Sequence, residues 1–195
     1  MIPPEHRTQR SNELQAKLQD LGDLSELENL TSEDFRLIGA YVQIYNFIEF
    51  NGRRCVEIFA RAGLLDGRSA KKPQRLHLST LIETIKSVVV RMDAVENVAD
   101  SLVKLDEIEQ RRGIRNLLAH WAARRLPGED AIVLLTMSGF DEQQISEADT
   151  PFGDYARTAI LDLADVRGLL VHMAEYEKWI GHKVAEWYAR FLPPP

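Results

Sequence analysis

LADVRGLLVHMAEYEKWIGHKVAEW, residues 163–187, is the stretch whose reading decides the fold class. Leu163, Val166, Leu170, Met173, Ile180, Val184 and Trp187 recur at steps of three and four, broken only where Glu177 falls on the same line. That is the period of an α-helix with one buried stripe. The run of about 27 residues makes roughly 40 Å of helix at 1.5 Å per residue. Pro193, Pro194 and Pro195 stop it.

Upstream segments repeat the pattern. Residues 12–21 predict a short amphipathic helix with Leu14, Leu18 and Leu21 on one side, ended by Gly22 and Asp23. A long second helix starts at Thr31 or Ser32 as N-cap, with Glu33 and Asp34 in a first turn that favours acids. It runs to about residue 62, where Gly63 is the stop signal. Phe35, Ile38, Val42 and Tyr45 form one apolar seam, leading to Glu49. Leu37, Tyr41, Ile44 and Ile48 form a second, leading to Asn51, Cys55 and Ile58. Gly52 inside this helix marks a kink or a close neighbour. A basic loop covers residues 64–76, and a third helix covers residues 79–92 through Leu81, Ile82, Ile85, Val88 and Val89. The fourth helix is predicted over residues 106–124. A turn at Leu126, Pro127, Gly128, Glu129 and Asp130 follows, then a β-favouring run at 131–137. A polar stretch fills 140–154, and Thr158, Ala159 and Ile160 pair with the earlier strand as a small hairpin. The expected fold is all-α: an antiparallel helical bundle with a possible small β-hairpin near 131–160. Residues 1–10 read as a flexible tail and 11–195 as a single domain.

Composition narrows the setting. The chain has 195 residues, 45% hydrophobic, with net charge −6, so overall charge does not point to nucleic acid. One cysteine, Cys55, excludes an intramolecular disulfide and a cysteine-based zinc site, and suits a reducing cytoplasm. The N-terminus lacks the apolar core of a signal peptide, and no run reaches the roughly 18 apolar residues of a membrane span. No cofactor is expected. His77, His172 and His182 lack metal-ligand spacing, and no Gly-rich phosphate loop occurs.

The sharpest chemical signal is Arg115-Asn116-Leu117-Leu118-Ala119-His120-Trp121. At about 100° per residue, Ile114, Leu117, Leu118 and Trp121 share a buried face. Arg112, Asn116, His120 and Arg124 form a polar stripe on the other side. Arg115 lies about 140° from His120, so the two edge the polar sector from opposite sides. Five arginines and no acid occur between Arg111 and Arg125, a basic island in an acidic chain. A guanidinium holds a phosphate bidentately, and a histidine exchanges protons near neutral pH. A helix with a polar face also collects Arg, Asn and His with no chemistry attached.

The segment resembles the Arg-x4-His motif of the higher eukaryote and prokaryote nucleotide-binding (HEPN) domains. Arg115, Asn116, Ala119 and His120 match it position by position. The likeness covers most of residues 32–190 in architecture, and in residue identity mainly the motif. It implies a metal-independent endoribonuclease that works as a homodimer, with His120 as general acid or base, Arg115 on the phosphate and Asn116 orienting. Arg112 and Arg124 add substrate contacts, and Glu49 either orients Arg115 or His120 or simply faces solvent. Family members serve in toxin–antitoxin, defence and RNA-processing systems, so RNA and an antitoxin or regulatory protein are the implied partners. Others are non-catalytic modules that bind nucleotide or a protein partner, and that alternative stays open, as does a plain structural bundle. One subgroup is regulated through a tyrosine two positions after the histidine. Ala122 stands there, so that regulation is not expected.

Two further features bear on the surface. Arg53 with Arg54, and Lys71, Lys72 and Arg75, either track an RNA backbone or are solvated surface. Trp179 and Trp187 read as core or dimer interface, not as a base-stacking platform.

Overall fold

The computed structural model describes residues 9–65, 76–92, 97–136 and 157–192. The tail up to residue 8, the basic loop at 66–75 with Lys71, Lys72 and Arg75, Met137, the polar stretch at 140–154 and the three terminal prolines lie outside the described residues. The described elements are α1 (Gln9–Asp20), a 3-10 turn (Leu24–Glu26), α2 (Ser32–Arg61), α3 (Leu78–Val89), α4 (Val98–His120), β1 (Ala122–Arg125), β2 (Ala131–Thr136), β3 (Arg157–Asp162) and α5 (Leu163–Phe191). The chain is mostly helical. The expected hairpin is present as β2 and β3, inside a three-stranded antiparallel sheet of order β1-β2-β3.

The fourth helix departs from expectation. It begins at Val98 and ends at His120, and Ala122–Arg125 is a strand rather than its last turn. Local propensity favours helix for Ala-Ala-Arg-Arg, but pairing with the apolar β2 overrides it. Ala122 faces Leu135 and Arg125 faces Ile132. Leu126-Pro127-Gly128-Glu129 turns the chain between them, with Glu129 N–H donating to the Leu126 carbonyl at 3.1 Å. Gly128 has φ 69°, the left-handed conformation that a proline–glycine turn requires and that glycine adopts without strain.

The chain divides into two compact units, and the boundaries fall inside α2, α4 and α5. The first comprises Met1–Val42 and Gly113–Val171. Here α1 lays Leu14 and Leu18 against Leu27, Leu126, Ala131 and Val133, as its spacing predicted. Residues 131–134 of β2 are buried on both faces, which explains their unbroken apolar run. Thr31 is the N-cap of α2. Its hydroxyl accepts the Asp34 N–H at 3.2 Å, and the Asp34 carboxylate accepts the Thr31 N–H at 2.7 Å, a capping box closed by Asp. Asp162 caps α5 by accepting the Ala164 N–H at 2.9 Å.

The buried Asp34 also pairs with Arg125, whose Nη1 donates to Oδ1 at 2.6 Å. Arg125 Nη2 reaches the Glu129 carbonyl at 3.0 Å. Its backbone exchanges bonds with Glu28, at 2.9 and 3.0 Å. One arginine thus ties the start of α2 to the β1–β2 turn. Burial pushes the Asp34 carboxyl up, but the Arg125 hydrogen bond and those from Thr31 outweigh it, holding the net value below the ordinary 3.8.

In the second unit, Gln43–Arg112 and His172–Pro195, the regular elements among the described residues are all helices. Phe59 packs on the buried Trp187 with ring centroids 4.9 Å apart, so Trp187 is core. Trp179 is half-buried, with Lys104 Nζ 5.7 Å from its ring. Tyr45 donates to the Ile108 carbonyl at 3.0 Å. In α2 the buried line runs through Leu37, Tyr41, Tyr45, Ile48, Cys55 and Phe59. It takes residues from both predicted seams and leaves Phe35 63% exposed. In α5 the buried line is Leu163, Val166, Leu169, Met173, Tyr176, Ile180, Val184 and Trp187. Leu169 and Tyr176 take the places expected of Leu170 and Glu177, and the three-four repeat has no break. Gly52 neither ends nor interrupts α2. A Cβ there would meet Leu81 at 3.8 Å and Ile85 at 3.9 Å, ordinary contact distances.

Two outcomes follow. Gly52→Ala gains helix propensity without a clash and raises stability by about 0.5–1 kcal/mol in urea unfolding. Arg125→Ala strands a buried carboxylate and costs about 3–5 kcal/mol at neutral pH. Because the Asp34 value is depressed on folding, the ion pair's contribution is complete above the ordinary 3.8 and fades as pH falls through the lower folded value. The gap between wild type and Arg125→Ala, measured by unfolding across pH, therefore shrinks in acid. A gap that widens in acid contradicts this account.

Candidate functional site

The motif occupies the last two turns of α4, Arg115 to His120. Its predicted apolar face is buried: Ile114, Leu117, Leu118 and Trp121. Trp121, one residue past the helix, donates its N–H to the Leu117 carbonyl at 3.0 Å and closes the final turn. That packing orients the polar side outward. Arg115 and Asn116 are half-buried, while Ala119 and His120 are exposed. Arg115 Nη1 donates to Asn116 Oδ1 at 3.2 Å, so the amide already engages the guanidinium.

The other predicted residues are placed differently. Arg124 is not on the α4 stripe, because the helix has ended and Arg124 is an exposed residue of β1. Arg112 and Glu49 belong to the second unit, whereas Arg115, Asn116, His120 and Arg124 belong to the first. Arg112 donates through Nε at 3.0 Å and Nη2 at 2.8 Å to one oxygen of Glu109. The other oxygen of Glu109 is buried with no partner among the described residues. Glu49 pairs with Arg53 one helical turn away.

The basic island is largely neutralised. Arg111 donates to Glu107 Oε2 at 2.9 and 2.7 Å, Arg112 is held by Glu109, and Arg125 by Asp34. Both Glu107 and Glu109 stand just before the window counted as acid-free. Among the described residues, the side chains of His120 and Arg124 have no hydrogen-bond or ion-pair partner. Nearby, Asp130 is held below its ordinary range, chiefly by the hydrogen bond from Arg167 at 2.7 Å.

A pocket of about 390 Å³ opens in the first unit beside the motif. Leu118 and Trp121 form part of its wall with Leu30, Phe35 and Ile38, and Asn29, Ala123 and Arg124 complete it. The sequence reading did not single out Asn29, Leu30 or Phe35 as site residues. The signal was present: with Thr31 as N-cap, Leu30 and Phe35 occupy the two positions of a hydrophobic staple. Among the described residues, no group of three or more His, Cys, Asp or Glu side chains is placed to hold a metal ion, and no helix is long and apolar enough to cross a membrane. Comparison of the chain with protein-family models, curated proteins and solved structures finds no match.

This geometry separates structural from surface roles inside one motif. Trp121→Ala empties part of the core and costs about 3–5 kcal/mol. His120→Ala and Arg124→Ala change stability by no more than about 0.5 kcal/mol, because neither side chain is buried or paired. Thermal melting of the three variants checks the contrast.

Proposed function

We propose that this chain is a metal-independent endoribonuclease acting as a homodimer. The observation that carries the reading is the disposition of the HEPN-like motif. Its apolar residues are consumed by the core, and Arg115, Asn116 and His120 are left reaching solvent at one end of α4.

The chemistry needs few groups. His120 as general base takes the proton of a ribose 2′-hydroxyl. The freed oxygen attacks the adjacent phosphorus, the bond to the 5′-oxygen breaks, and that oxygen receives a proton from an imidazolium contributed by a second copy. The products are a 2′,3′-cyclic phosphate and a 5′-hydroxyl end. Arg115, oriented by Asn116 at 3.2 Å, stabilises the charge gathering on the phosphate oxygens. A second copy is invoked because Arg115 and His120 stand about 140° apart on one helix. Arg124 is an unpaired cation for the substrate backbone; Arg112 serves only if it leaves Glu109. A toxin or defence role with an antitoxin-type partner is carried by the resemblance alone, and a cytoplasmic setting by the single cysteine.

A second reading, a non-catalytic module that binds nucleotide or protein, is favoured by one observation. Arg111, Arg112 and Arg125 are spent on carboxylates, which leaves little free positive charge for a long RNA backbone.

Purified protein incubated with mixed RNA in EDTA separates the two readings. Cleavage is expected for the wild type. His120→Ala and Arg115→Ala are expected to lose it by about 10²–10⁴-fold, the scale of a positioned proton-transfer group or charge stabiliser. Equal background cleavage in all three proteins leaves the module reading standing. A monomer at micromolar concentration in light scattering refutes the dimer.

A further inference from the structure

We propose that the pocket beside Trp121 is a nucleotide subsite, which takes one unpaired base of a single-stranded RNA and sets its phosphate on Arg124. The inference rests on the reading of α4 as an RNA-cleaving helix and says where the substrate's base is held.

Four observations converge on this ligand. The volume, about 390 Å³, suits a mononucleotide and lies at the small end of ligand sites, which span roughly 300–1,000 Å³. Two aromatic side chains line it, the exposed Phe35 and the largely buried Trp121, and an exposed aromatic face accepts the π-surface of any base. The Phe35 ring is 63% exposed, so of the two it is the one open to a ligand. Arg124 is the one charged residue in the lining, and its side chain has no partner among the described residues, so the pocket favours an anion.

The fourth observation is a backbone donor and acceptor in the wall. Arg125 turns its N–H and carbonyl to the outer side of β1, where Glu28 takes both. Residues alternate along an antiparallel strand, so Ala123 turns its own N–H and carbonyl to that same side. No backbone partner meets them among the described residues, and Ala123 lines the pocket. An adjacent donor and acceptor matches the hydrogen-bonding edge of a base, and the Asn29 amide offers a second such pair. The same arrangement argues against an added peptide strand. The outer edge of β1 offers only Ala123 and Arg125, and Glu28 already occupies the latter. One free residue suits a base and not a strand.

The test uses the full chain carrying His120→Ala, in EDTA. The probes are AMP, GMP, CMP and UMP, together with a fluorescent single-stranded octaribonucleotide followed by anisotropy. At least one mononucleotide is expected to bind and to displace the octamer. On the same background, Phe35→Ala and Arg124→Ala are each expected to weaken nucleotide binding about fivefold or more, with the Arg124 effect shrinking as salt rises. Both positions are exposed, and thermal melting verifies that the variants fold. Binding by none of the four nucleotides, or a smaller loss in either variant, overturns the subsite. Cleavage by the otherwise wild-type chain is scored separately. His120-dependent cleavage without nucleotide binding removes the subsite and leaves the nuclease. Nucleotide binding without such cleavage removes the nuclease and leaves the subsite.

Discussion

The first unit is organised around a single charge contact, Arg125 with the buried Asp34. A carboxylate with no solvent exposure is costly unless its lone pairs are filled. Asp34 fills them with the Thr31 N–H, the Thr31 hydroxyl and the Arg125 guanidinium. The start of α2 is capped by the same group that grips β1. The grip in turn fixes where the chain leaves α4, because only Trp121 separates His120 from the strand that carries Arg125. The position of the motif's end is thus set by a contact between residues 91 apart in sequence.

What could be read in the sequence was whatever depends on neighbours along the chain. The α5 stripe, the Thr31 cap, the Leu14 and Leu18 face of α1 and the buried side of the motif all follow from local periodicity or capping, and they stand in the structure. The β1 strand was not visible in its own residues. Ala-Ala-Arg-Arg becomes a strand only because β2 needs a partner on that side. The Pro127-Gly128 turn was the available clue, since a hairpin turn ahead of β2 requires a strand before it. Within the α5 stripe only two places differ: Leu169 and Tyr176 are buried beside the expected Leu170 and Glu177, and the predicted line holds again at Ile180, Val184 and Trp187.

For the candidate site, the side of the motif that packs inward was legible and the electrostatic state was not. Counting charges between Arg111 and Arg125 suggested a strong cationic patch. Glu107 and Glu109, one turn earlier on the same helix, and Asp34, far away in sequence, remove most of it. Exposure separates the remainder. His120 and Arg124 stand unpaired at the surface among the described residues, and Arg115 leans on Asn116. The pocket wall could not be foreseen from periodicity, because its residues come from the approach to α2 and its first turns, the end of α4, Trp121 and β1.

The direct passage from α4 into β1 has a consequence of its own. His120 sits between a helical turn closed by the Trp121 N–H and a strand already paired in the sheet. A histidine on a loop must surrender backbone freedom each time a ligand arrives. Here that entropy has been lost in folding, once, on behalf of every later encounter. The imidazole stands on a preorganised main chain, with only its own two torsions left free.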